Sequence, residues 1–257
     1  MYKYNEANGI TANRALYLQH KNDNGGNYTI TMQLIDSFMA VLAPHVCIAC
    51  GLEGSVLCSE CIKRYFEPSE PRCIGCMKLS ENFKICSGCR RTIPLERVVF
   101  CSVYEGVSAQ LIKDLKFELK RQGADAIASI MADTIKNNEN LFDVISPIPT
   151  SPARVRARGF DHSELIAKSL AKKLAISYKK LFWRISDAHQ VGANRSERFR
   201  QMKNVFHLHQ HVVQHAPKSA LLIDDVYTTG ATLASATNLL KKSGVKHVSA
   251  IVFARKV

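Results

Sequence analysis

The stretch Leu221-Leu222-Ile223-Asp224-Asp225-Val226-Tyr227-Thr228-Thr229-Gly230-Ala231-Thr232-Leu233 decides how the rest of this 257-residue chain is read. It begins as a short apolar run, Ala220–Ile223, of the kind that forms a strand buried on both faces. Two carboxylates, Asp224 and Asp225, follow at the carboxyl end of that strand. Hydroxyl residues and Gly230 then lead into apolar positions at helical spacing, which predicts a helix over 229–242 closed by Gly244. The first turn of a helix carries backbone N–H groups without intrahelical partners and the positive end of the dipole, so it favours a phosphate, and threonine hydroxyls add donors. Carboxylates just upstream accept hydrogen bonds from sugar hydroxyls. One loop is thereby expected to hold a phosphate and a sugar at adjoining points; the alternative is a helix cap followed by an ordinary turn.

Outward from this loop, strand and helix patterns alternate. Val98–Tyr104, Val144–Ile148 and Val248–Phe253 read as strands, and Ser108–Arg121, Ala124–Lys136 and Phe160–Leu174 as helices. That alternation over residues 94–257 predicts an α/β domain with a mainly parallel sheet. Ser146-Pro147-Ile148-Pro149 ends a predicted strand, and Arg154, Arg156 and Arg158 follow it. Guanidinium forks donate two parallel hydrogen bonds and so suit a pyrophosphate; the plainer reading is a solvated basic helix end. A second cluster, Arg195, Arg198 and Arg200, follows Gln190 and Gly192, where it can close over a polyphosphate or track a nucleic-acid backbone.

Residues 33–93 are of a different kind. Gln33–Leu42 has helical spacing before Pro44 and predicts a lead-in helix, while residues 1–32 lack an apolar period and are expected to be a disordered extension. Between 45 and 92 apolar residues are few, but Cys47 and Cys50, Cys58 and Cys61, Cys73 and Cys76, Cys86 and Cys89 form four C-x-x-C pairs. Such spacing turns both thiolates of a pair toward one ion, and two pairs close a tetrahedral site, so two structural Zn²⁺ ions in a double zinc-ribbon module are expected. Consecutive pairing is preferred because the connecting loops are short; crossing the first pair with the third is the alternative. Gly51, Gly75 and Gly88 are expected to supply left-handed turns. Cys101, outside the pattern, reads as an ordinary buried thiol.

The composition, 46% hydrophobic and 22% charged, fits a globular protein with a real core, and the net charge of +13 favours a polyanionic partner. No apolar run approaches eighteen residues and no secretory signal is visible, so the chain is expected in the cytoplasm, where paired cysteines are metal ligands before disulfides.

The apolar run, paired acids, spacer and Thr-Thr-Gly-x-Thr resemble the 5-phosphoribosyl pyrophosphate (PRPP) motif of type I phosphoribosyltransferases. That resemblance assigns Asp224 and Asp225, the candidate catalytic pair, to the ribose hydroxyls. It assigns Thr228, Thr229, Gly230, Ala231 and Thr232 to the 5-phosphate cradle, with Arg154, Arg158, Arg195 and Arg198 as further substrate-binding candidates. Together with the cysteine pairs, Leu115-Lys116-Phe117, Pro147-Ile148-Pro149, Arg158-Gly159-Phe160, Gln190 and Gly192, the chain over 34–257 resembles the ComF family of competence-associated proteins. It departs from that family's pattern at Asp161-His162, where Asn-Gln is frequent, at Ala193, where leucine is usual, and at Gln201, where asparagine is frequent. The resemblance implies a type I phosphoribosyltransferase fold, PRPP with Mg²⁺ as ligand, and single-stranded DNA as partner. It also implies a role in cytoplasmic handling of transforming DNA beside a competence helicase or DNA-processing proteins. Two other readings stand next to it: an active phosphoribosyltransferase acting on a base or amine, and a zinc-ribbon adaptor with a vestigial PRPP site.

Three weaker constellations remain. His207, His209 and His211 alternate and would share one strand face, where solvent exposure is expected before metal binding. Phe182 and Trp183 are expected under a strand rather than stacked on a base. His162 and His189 are candidates to donate to phosphate.

Overall fold

A computed structural model describes residues 45–67, 70–117, 120–136, 142–185 and 205–256. The N-terminal extension, the lead-in helix, His189, Gln190, Gly192, Arg195 and Arg198 lie outside the described residues.

Seven strands are described: β1 (Val98–Val103), β2 (Val144–Pro147), β3 (Ser177–Tyr178), β4 (Phe182–Arg184), β5 (Phe206–Leu208), β6 (Ser219–Tyr227) and β7 (His247–Arg255). Five form one sheet in the order β1-β7-β6-β2-β3, every pair parallel, while β4 and β5 pair antiparallel on their own. Parallel strands must be covered on both faces, which is why β2, β6 and β7 are buried along nearly their whole length around apolar centres. Helices α1 (Ser59–Tyr65), α2 (Gly106–Phe117), α3 (Lys120–Ile135), α4 (Pro152–Arg158), α5 (His162–Leu174), α6 (Gln210–Gln214) and α7 (Ala231–Lys242) complete the order. The fold is thus the α/β class with a parallel sheet and a small cysteine-rich module that the sequence predicts.

Several boundaries differ. The helix expected to reach Arg121 is assigned only to Phe117, and Lys120 and Arg121 belong to the next helix, which carries Gly123 in its interior. The expected Phe160–Leu174 helix starts at His162, because Gly159 in the left-handed region (φ 78°) ends a separate short helix and Asp161 caps the next one. The motif strand is longer than expected: β6 runs through Asp224 and Asp225 to Tyr227, because Val226 and Tyr227 still pair with Ala254 and Arg255 of β7.

From His45 onward the chain is one compact unit. The cysteine module lacks a sizeable core of its own and shares the sheet's: Phe83 meets Phe100 edge-on at 5.8 Å, and Phe66 lies 5.5 Å from Phe253. The Ile85 amide donates to Glu96, whose own amide donates to Val248 on β7, so hydrogen bonds continue from the module into the sheet.

Sheet order also places the site. From β2 the chain leaves through α4 and α5 to β3 on one side, whereas from β6 it leaves through α7 to β7 on the other. A crevice opens outside the carboxyl ends of two adjacent parallel strands whose connections diverge in this way.

Candidate functional site

That crevice is a cavity of about 280 Å³. Ile148, Pro149, Thr150 and Ser151 enter it from the end of β2, Asp224, Asp225 and Val226 from β6, Thr228 from the turn after it, and Thr232 from the first turn of α7. Three cations from separate elements line it: Lys116 at the end of α2, Arg154 on α4 and Arg184 on β4. Arg184 also lies over the Phe206 ring, 5.7 Å from its centroid.

Asp225 is the charged centre of the floor. Its Oδ2 lies 2.5 Å from Lys116 Nζ and 3.2 Å from His162 Nε2, and its Oδ1 accepts from the Val226 amide at 2.8 Å. Burial raises its pKa, but the bond to His162 and the Lys116 charge outweigh it and hold the carboxyl well below the usual carboxylate range. Asp224 goes the opposite way: burial, then the negative charge of Asp225, pushes it well above its ordinary value, although its Oδ1 accepts from the Asp225 amide at 2.9 Å. The two neighbouring carboxyls are thereby pushed in opposite directions, Asp225 toward the charged form and Asp224 toward the neutral one. His162 is oriented from its far side. Arg158 Nη1 stands 3.1 Å from Nδ1 and can only donate, so Nδ1 accepts and the ring proton sits on Nε2, facing Asp225.

The Leu115-Lys116-Phe117 triplet sends three side chains three ways. Leu115 is buried in the core, Lys116 reaches Asp225, and Phe117 is exposed with the Arg158 guanidinium 5.6 Å from its ring centre. Arg158 thus reaches the cavity through His162, whereas Arg154 lines it directly. Thr229 and Gly230 face elsewhere, lining a neighbouring apolar pocket of about 530 Å³ with Tyr227, Ala234, Leu95 and, from the cysteine module, Thr92 and Ile93. Gly230 has φ 74°, and a Cβ there would lie 2.8 Å from Tyr227 Cζ, so both conformation and space require glycine. Ala231 follows as the first residue of α7, its amide near the Thr229 hydroxyl at 3.4 Å.

The cysteines assemble as two groups of four, Cys47, Cys50, Cys58 and Cys61, then Cys73, Cys76, Cys86 and Cys89, with sulfurs in each group within 4.8 Å of one another. This is the consecutive pairing. The Cys50 to Cys58 and Cys76 to Cys86 sulfur distances are 3.7 Å, close to the roughly 3.8 Å edge of a tetrahedron with 2.3 Å zinc–sulfur bonds. The Cys58 amide points at Cys47 Sγ (3.4 Å) and the Cys86 amide at Cys73 Sγ (3.5 Å). Against the opposing effect of burial, such amide bonds lower both Cys47 and Cys73 to about 6, which favours the thiolate a metal needs. Each group can hold one metal ion with no open position.

The first pairs of the two groups, Cys47 and Cys50 against Cys73 and Cys76, are also copies of each other at a 26-residue offset, and the second pairs follow at 28. The Cys47 and Cys73 amides donate to Leu52 and Lys78, the Gly51 and Met77 amides return to Cys47 and Cys73, and bridges pair Val46 with Glu53 and Arg72 with Leu79. Only Gly51 of the three expected turn glycines is left-handed, at φ 78°; its counterpart Met77 takes φ 59°. Gly75 is required for space instead, since a Cβ there would lie 2.9 Å from Cys89 Sγ and Ile93 Cδ1, and Gly88 has no contact within 4 Å of such an atom.

Among known proteins, the chain is 30% identical over 214 residues to competence protein ComFC of Streptococcus pneumoniae, spanning 79% of this chain and 89% of that one. The chain belongs to the ComF family. Competence protein F of Haemophilus influenzae is 27% identical over 77% of this ComF-family chain and 90% of its own length, and the DNA utilization protein YhgH of Escherichia coli K12 25% over 80% and 94%. No family model matches the sequence. An orotate phosphoribosyltransferase from Aeropyrum pernix superposes with a TM-score of 0.31 at 15% identity, covering 51% of this chain and 58% of that one.

The departures at Asp161 and His162 have physical roles in this ComF-family chain. Asp161 caps α5 by accepting from the Ser163 and Glu164 amides, and it also accepts from the Thr150 amide and hydroxyl at 3.0 and 2.8 Å, which fixes the loop after β2. His162 is the buried partner of Asp225. Sequence reasoning quoted Lys116 without assigning it a role and missed Arg184 altogether; the local pattern around Arg184 carries no signal. Cys101 is a buried thiol pushed up to about 12 by burial, as expected. His207 lies on β5, but His209 and His211 fall at the start of α6, so the three do not share a strand face. Phe182 is buried as expected, whereas Trp183 is 47% exposed, because β4 and β5 form an isolated ribbon with one face in solvent.

Proposed function

We propose that the protein binds PRPP, with Mg²⁺, in the 280 Å³ cavity, binds single-stranded DNA, and assists the cytoplasmic handling of transforming DNA, with a structural Zn²⁺ in each cysteine group. The observation that carries the ligand is the polarity of the cavity: Lys116, Arg154 and Arg184 converge on a space floored by Asp224 and Asp225 and closed by Thr228 and Thr232 at the start of a 12-residue helix. Cations and helix amides suit phosphates, and the unlike acids suit a diol. Bound Mg²⁺ would neutralise diphosphate charge. The relatives named for competence and DNA utilization, and the net charge of +13, support the nucleic-acid part.

Calorimetric titration with PRPP, with and without Mg²⁺, tests this reading. Wild type is expected to bind and the Asp224→Asn/Asp225→Asn double variant to lose at least tenfold in affinity, about 1.4 kcal/mol. No binding by folded wild type refutes it and leaves the adaptor reading. The apolar pocket beside Thr229, large enough for a nucleobase, favours transferase activity as a second reading. Pyrophosphate release that requires one particular base or amine decides for it.

A further inference from the structure

We infer that the outer face of the β4–β5 ribbon is a base-stacking platform for single-stranded DNA, with Trp183 and His207 as its stacking pair; this rests on the proposed DNA-binding role and locates its surface.

Trp183 and His207 are directly opposite across the ribbon, with ring centroids 4.9 Å apart and planes 32° apart. Their backbone neighbours Phe182 and Phe206 turn inward and are buried, so alternation along both strands forces the two rings into solvent. Ile185 continues the same outward row, 48% exposed. Just past β5, His209 and His211 stack with centroids 5.7 Å apart and planes 18° apart. Burial, then the charges of His209 and Lys179, lower the pKa of His211, and Lys179 is exposed.

A tryptophan half in water is an expensive use of the largest apolar side chain unless something covers it. The charge around it selects the occupant. Residues 177–185 and 205–218 contain Lys179, Lys180, Arg184, four histidines and Lys218, and not one Asp or Glu. Lys180 is paired with Glu164 at 2.7 Å, which leaves exposed Lys179 and Lys218 as the lysines of these segments open to a phosphate. Flat rings on a ribbon that bears such lysines and no acid of its own match a chain of bases and phosphates, because each base presents a π-face and each phosphate a negative charge. Arg184, next to Trp183, points the other way into the PRPP cavity. The ribbon therefore carries the platform on one face and a cavity wall on the other.

Trp183 is the sole tryptophan of the chain, so intrinsic fluorescence reads this position alone. The probe is an oligothymidylate of about 16 nucleotides carrying a terminal dye, its affinity read by anisotropy in parallel. Wild type should bind with quenched Trp183 emission. Trp183→Phe should keep affinity within about threefold, and Trp183→Leu should lose about tenfold, as expected for one stacked base. Both replacements are large and apolar, so the comparison isolates the ring. Binding with unquenched emission, or equal affinity of the two variants, overturns the platform and leaves DNA binding standing. Absence of wild-type binding at low salt overturns both.

Discussion

Replacing Lys116 by methionine keeps the stem of the side chain and removes the ammonium that neutralises Asp225. The pair is tight, 2.5 Å between Nζ and Oδ2, with side chains 21% and 11% exposed. Stranding one member of a buried pair costs about 3–5 kcal/mol. Here His162 remains at 3.2 Å and the Val226 amide still bonds Oδ1, so we expect the lower end, about 3 kcal/mol. Adding Asp225→Asn removes the stranded charge, and the double variant should recover to within about 1 kcal/mol of wild type. The pH dependence has a definite sign. In wild type the folded carboxyl is held below its unfolded value of about 3.9, so its contribution is present above that pH and is lost as pH falls through the folded pKa. Without Lys116, burial weighs more heavily against the charged form, so the deficit should be largest near neutrality and narrow below about pH 4 as the carboxyl takes a proton. Urea unfolding of wild type and the two variants across this range, with unchanged m-values, measures it. A Lys116→Met protein within about 0.5 kcal/mol of wild type at neutral pH, or a gap that widens on acidification, refutes the account of the site's charge balance.

Gly230→Ala should cost about 2–4 kcal/mol, from about 1–2 for a left-handed L-residue plus crowding against Tyr227, and the cost should fall to the backbone share in a Tyr227→Leu background; equal costs in both backgrounds, read by urea unfolding, would exclude the steric part. Elemental analysis should find two zinc ions per chain and one after Cys89→Ser. Two ions retained by that variant would contradict the grouping of the cysteines.

What could be read from the sequence was local. The C-x-x-C spacings and the Leu221–Leu233 string are short-range patterns whose geometry follows from a few consecutive residues, and the two cysteine clusters and the strand–turn–helix order emerged where expected. What failed depended on distant partners. Asp is a poor strand former, so the motif strand was expected to end before the acids, yet pairing with β7 carries it on to Tyr227. Lys116 stands over a hundred residues from Asp225, and no local feature links them. Trp183 was expected inside because large apolar residues usually are, but inside or outside depends on which strands share a sheet, and among the described residues β4 pairs only with β5. The left-handed turn of the second knuckle falls on Met77, where composition gives no hint of it.

The repeated knuckle has unequal surroundings. The first copy looks onto α3, across a pocket shared by His45, Val56 and Ile62 with Gln122 and Asp125. The second, through Ile74, Gly75 and Ile93, forms a wall beside Tyr227, Thr228 and Thr229. Two clusters of identical cysteine composition therefore occupy mechanically different posts: the first braces a helix of the scaffold, whereas the second buttresses the threonine turn at the mouth of the sheet.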